Sequence, residues 1–94
     1  MTEILSDDEA DRALLHGWVR TGKVIRREVE LPSFPKAIEV VDRVAVLAEA
    51  ADHHPDIDIR WRTLTFHLST HSAGGLTEKD FALAKQINET LDGL

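Results

Sequence analysis

A chain of 94 residues with no cysteine leaves room for one domain, residues 1–94, and excludes disulfides, thiolate metal sites and thiol nucleophiles. Lys and Arg number 11 against 17 Asp and Glu, a net charge of −6 with histidines neutral, which argues against a nucleic-acid surface because that needs a basic stripe. With 43% hydrophobic and 30% charged residues and no apolar run near the roughly 18 residues of a membrane span, the expectation is an ordinary globular protein with no membrane partner. The acidic start, residues 1–9, lacks the basic-then-apolar pattern of a secretory signal and points to a cytoplasmic protein.

Ser6 and Glu9 form a capping-box pattern that opens a short helix over residues 7–16. Ala10, Ala13 and Leu14 face inward, and Gly17 closes the helix. The period then changes to two. Ile25, Val29 and Leu31 alternate with Arg26, Glu28 and Glu30, so this stretch is a half-buried strand entered through a Thr21-Gly22-Lys23 turn. Pro32 breaks it, and Ser33 caps a second helix over residues 34–52. Its apolar stripe is Phe34, Ile38, Val41, Ala45 and Ala48, widened by Val40, Val44, Leu47 and Ala51. Val46 falls outside the stripe as a singly exposed residue.

Pro55 ends the helix, since proline disfavours helical geometry in the residue before it. From Ile57 to Leu68 the alternation slips unless Arg62 and Thr63 make a two-residue turn. Trp61 would then face Leu64, Ile59 would face Phe66 and Ile57 would face Leu68. Asp58, Arg60, Thr65 and His67 take the other side. A flexible loop over residues 72–75 leads to a last helix capped by Thr77 and Asp80, with a Leu76–Phe81 staple. That helix buries Phe81, Ala84, Ile87 and Leu91. The expected fold class is α+β, a four-stranded antiparallel sheet with three helices on one face in the order α-β-β-α-β-β-α.

Five histidines in a chain without cysteine or tyrosine invite a chemical reading. Glu49 and His53 lie four apart and are helical neighbours, so Glu49 is the expected orienting carboxylate of His53. His54 follows directly, and His71 stands where a strand meets the glycine loop. Imidazoles titrate near neutrality and a carboxylate can fix which nitrogen holds the proton, as proton transfer requires. The same donors suit zinc or iron, and a histidine pair at a helix end is also a common solvated cap. Spacing alone leaves enzyme, metal site and plain surface open. His16 and His67 read as bystanders.

One longer pattern narrows this. Glu49-Ala-Ala-Asp52-His53-His54-Pro55 is followed by Trp61 after five residues, His71 of Ser69-Thr70-His71 after nine, and Asp80 after eight. Over about thirty residues the chain resembles the pterin-4a-carbinolamine dehydratase family. The resemblance implies dehydration of a 4a-hydroxytetrahydropterin to quinonoid dihydropterin, recycling the cofactor of aromatic amino acid hydroxylases. It implies no cofactor and no metal, with His53, His54 and His71 as catalytic residues. Glu49, Asp52, Ser69, Thr70 and Asp80 are the implied substrate-binding residues, and Asp80 doubles as a helix cap. A homodimer or homotetramer is the implied assembly. Ile57 and Ser72 depart from the family's usual aromatic and acidic residues, which bears on affinity or substrate range. The alternative is a dehydratase-like scaffold serving as a binding or assembly factor.

Overall fold

The computed structural model describes residues 3–94, so the first two residues of the acidic start lie outside it. The elements follow the expected order: α1 (Asp7–Ala13), β1 (Val19–Thr21), β2 (Val24–Glu30), α2 (Phe34–Ala51), β3 (Asp56–Arg60), β4 (Thr63–Leu68) and α3 (Glu78–Asp92). The strands form one antiparallel sheet in the spatial order β1-β2-β4-β3. Ile25, Leu64, Phe66 and Leu68 are buried on the sheet face that the helices cover. Ala10, Val40, Val44, Leu83 and Ile87 complete the same core from the three helices. The fold class is α+β.

Local chemistry explains where the elements begin. The Ser6 hydroxyl accepts from the Glu9 amide at 3.1 Å while Glu9 accepts from the Ser6 amide at 2.8 Å, satisfying two helix-end donors at once. Thr77 and Asp80 repeat the device at α3. Ser33 caps α2, with Pro35 in the first turn, where a missing amide hydrogen costs nothing.

Four expectations need correction. First, α1 stops at Ala13, because Leu14 turns to extended backbone (φ −58°, ψ 134°) and so packs with Leu15 against the core. Gly17 is no helix cap. It lies in the following turn at φ +87°, where a Cβ would come within 2.8 Å of the Arg27 guanidinium. Second, the buried row of α2 is Ala37, Val40, Val44 and Ala48. Phe34 and Ala45 are exposed. Both rows are apolar at helical spacing, and the small Ala37 and Ala48 favour close approach. Val46 is exposed, as expected.

Third, the second hairpin turns at Trp61 and Arg62. Its pairs are Arg60 with Thr63, Ile59 with Leu64 and Ile57 with Phe66. The shift is two residues, which preserves the face of every side chain. Trp61 leaves the ladder at φ +52°, and the Arg62 guanidinium lies 4.6 Å from its ring centroid. Arg62 further anchors the turn through Glu30 at 2.9 Å and through its carbonyl, which accepts from the Leu31 amide. Fourth, residues 71–74 form a turn clamped by reciprocal backbone bonds between Thr70 and Gly75 at 3.0 and 3.3 Å. On α3, Leu83 is buried beside Ala84 and Ile87, while Phe81 and Leu91 are only partly covered.

Antiparallel pairing brings the start of β3, the end of β4 and the start of β2 to one end of the sheet. Asp56 pairs with His67, and Ile25 with Leu68. The last turn of α2 feeds directly into β3 there.

Candidate active site

Asp52 ends α2 in the left-handed conformation (φ +50°, ψ +43°), and its amide donates to the carbonyls of Ala48 and Glu49. The His53 amide also returns to Ala48, at 3.1 Å. Such a cap reverses the chain and satisfies the last carbonyls. It also sends two adjacent histidines in different directions. His53 goes inward, its side chain only 10% exposed, while that of His54 is 58% exposed.

His53 Nε2 lies 2.6 Å from Asp80 Oδ1. Asp80 is fully buried, and its other oxygen accepts from the Thr77 amide at 2.9 Å and the Thr70 hydroxyl at 2.8 Å. Thr70 and Thr77 share a further hydroxyl contact at 2.8 Å. A buried carboxyl group with every oxygen paired meets the condition under which such a group is tolerated. The helix-capping pattern at Thr77 and the candidate proton-transfer residue are therefore served by opposite oxygens of one side chain. With Nε2–H given to Asp80, the free ring nitrogen of His53 is Nδ1, which then has the lone pair.

The expected Glu49–His53 pair does not form. Glu49 Oε1 instead meets His54 Nε2 at 2.8 Å. Four-residue neighbourhood holds only while the chain stays helical, and the left-handed Asp52 interrupts it before His53. The contact then falls to the residue five positions on.

His54 and His71 wall one open cavity together with His67, Asp56 and Ser69. Val24 and Leu68 complete its lining. His53 is not in that wall; it lies next in the chain to one of its members. Ser69 donates to the Lys23 carbonyl at 2.7 Å, which ties the end of β4 to the first hairpin. Asp52 is exposed at its cap, and the Thr70 hydroxyl is already engaged by Asp80 and Thr77. His16 lies outside the site and only its carbonyl is used, by Asn88.

Asp56 and His67, which the sequence reading left outside the site, also line this cavity. The signal was present, because a period of two carried one residue past β4 puts His67 and Ser69 on one side. Among the described residues, no group of three or more His, Cys, Asp and Glu is arranged to hold a metal ion. No helix among the described residues is long and apolar enough to cross a membrane.

The geometry suits acid–base chemistry on a small polar substrate, and comparison with known proteins points the same way. Residues 3–90 match the family model described as pterin 4 alpha carbinolamine dehydratase. A Nocardia farcinica protein provisionally named pterin-4-alpha-carbinolamine dehydratase is 62% identical over 90 residues, 94% of this chain and 95% of its own. A Mycobacterium protein of the same provisional name is 59% identical over 91 residues, 95% of this chain and 97% of its own. Among solved structures, a transcriptional coactivator/pterin dehydratase from Brucella melitensis superposes with a TM-score of 0.90 at 30% identity, over 94% of this chain and 98% of that one. A pterin dehydratase-like protein identified as a RuBisCO assembly factor in the alpha-carboxysome shares the fold, with a TM-score of 0.68 at 22% identity over 80% and 89% of the two chains. Sequence match, fold and the histidine-bearing motif agree, and the chain belongs to the pterin-4-alpha-carbinolamine dehydratase family.

Proposed function

We propose that this protein dehydrates a 4a-hydroxytetrahydropterin to the quinonoid dihydropterin by histidine acid–base catalysis, serving the cofactor cycle of aromatic amino acid hydroxylases. The observation that carries this is the Asp80–His53 pair, a buried carboxyl oriented by the Thr70 hydroxyl and the Thr77 amide, next in the chain to His54, which walls a cavity with His71. In the reaction, the C4a–O bond breaks as the hydroxyl takes a proton and leaves as water. The N5–H proton passes to a base, and its electron pair forms the C4a=N5 bond. One acid and one base suffice.

His53 and His71 carry the two transfers. His54, held by Glu49, positions the ring. Asp52 and Ser69 offer polar groups to the pterin edge, and Thr70 acts through Asp80. General acid–base assistance of this kind is worth about 10²–10⁴-fold. Turnover of chemically generated carbinolamine should fall by about that factor in His53→Ala and in His71→Ala, and should survive a chelator. Wild-type rates in both variants would sink the assignment.

The expected self-association fits the two open sheet edges, β1 and β3, which carry the exposed Val19 and Ile59. Sedimentation equilibrium should give a dimer or tetramer. A cytoplasmic setting is in keeping with the acidic, cysteine-free sequence.

A further inference from the structure

His67 stands half-buried in β4. It is bracketed across the ladder by Arg26 of β2 and Asp56 of β3, which share its face of the sheet. It walls the same cavity as His54 and His71. Yet it belongs to none of the positions that carry the family motif, and the dehydration needs only two proton carriers. Its ring makes none of the contacts that hold His53 to Asp80 and His54 to Glu49. A neutral imidazole offers one donor and one acceptor, and both remain for a ligand. The pyrimidine edge of a pterin presents the matching pair, an amino donor beside ring-nitrogen and oxo acceptors.

We infer that His67 is a specificity-determining contact of this site, hydrogen-bonding the polar edge of the bound pterin and adding affinity without moving a proton, a role that presupposes the dehydratase function proposed above. Asp56, across the ladder on the same cavity wall, lies within the same stretch of surface and would accept from amino or ring N–H donors of the same edge.

Two substitutions separate binding from folding. His67→Val removes both the donor and the acceptor while placing a strand-favouring β-branched residue there, and His67→Gln restores a donor and an acceptor. The probe is 7,8-dihydrobiopterin, which has no 4a hydroxyl to lose, titrated calorimetrically beside steady-state turnover of the carbinolamine. His67→Val should weaken binding about three- to ten-fold, the worth of one neutral hydrogen bond. KM should rise in step with kcat nearly unchanged, the signature of lost uniform binding, and His67→Gln should recover most of the affinity. Unchanged affinity in His67→Val, or a fall in kcat without a change in affinity, overturns the role of His67 while wild-type turnover leaves the dehydratase function standing. A wild-type protein that neither binds nor turns over pterin overturns both.

Discussion

Asp80 is wholly buried and engages three groups through two oxygens, His53 on one side and Thr70 with the Thr77 amide on the other. That asymmetry decides what Asp80→Asn does. The asparagine keeps its carbonyl oxygen toward the threonine side, where two donors wait, and turns its amide toward His53. His53 must then present Nε2 as an acceptor and hold its proton on Nδ1, which removes the Nδ1 lone pair that the Asp80 contact leaves free. We expect a loss of about 10²–10⁴-fold in kcat with a stability cost of about 1–3 kcal/mol. Nitrogen NMR of the His53 ring reads the tautomer directly, and an unchanged tautomer with unchanged rate would refute this account. Glu49→Gln is the contrasting case, since its side chain is 81% exposed. An exposed pair contributes at most about 1 kcal/mol, so stability should scarcely move. Sequence spacing paired Glu49 with His53, whereas Glu49 meets His54 and His53 meets Asp80. Helical neighbourhood was applied across a residue, Asp52, whose left-handed backbone cannot be read from its identity.

At the scale of elements, that same Asp52 is the hinge on which the histidine pair turns. A left-handed residue with a Cβ is costlier than glycine there, so Asp52→Gly should raise stability by up to about 1 kcal/mol while preserving the directions of His53 and His54. If pterin affinity falls in that variant as the melting temperature rises, the Asp52 carboxylate touches substrate. If affinity holds, its role is the turn alone. Element starts were legible because Ser6–Glu9, Ser33 and Thr77–Asp80 are patterns of identity at fixed spacing. Ends and registers were not. Nothing in the identity of Trp61 shows that an aromatic residue will accept positive φ at a hairpin turn and be covered by Arg62. The α1 capping box makes a further prediction. The hydrogen bonds from Ser6 hold the Glu9 carboxyl below its ordinary value. A depressed carboxyl contributes stability above its unfolded pKa and loses that contribution as pH falls through the folded one. Glu9→Gln should therefore flatten the acid limb of the stability profile, and a profile identical to wild type would show the box to be inert.

Across the whole molecule, α3 carries two polar anchors with separate duties. Asp80, in its first turn, orders the histidine end of the sheet. Asn88 lies about 12 Å farther along the helix axis at 1.5 Å per residue, and gathers the N-terminal segment. Its Oδ1 accepts from Trp18 Nε1 at 2.8 Å and from Arg27, and its Nδ2 donates to the His16 carbonyl at 3.1 Å. Trp18 is only 5% exposed, so its indole N–H has little access to water as a substitute partner. Asn88→Ala should thus cost about 1–3 kcal/mol, read as a fall in melting temperature of roughly 4–8 °C per kcal/mol for a domain of this size. The histidine end depends on Asp80, the Asp52 cap and the β3–β4 ladder, none of which Asn88 touches. Well below the transition, kcat and KM of Asn88→Ala should therefore match wild type. A loss of turnover with native melting would mean that the two ends of α3 are coupled, and that the site is held by the N-terminal segment as well as by the carboxyl beneath His53.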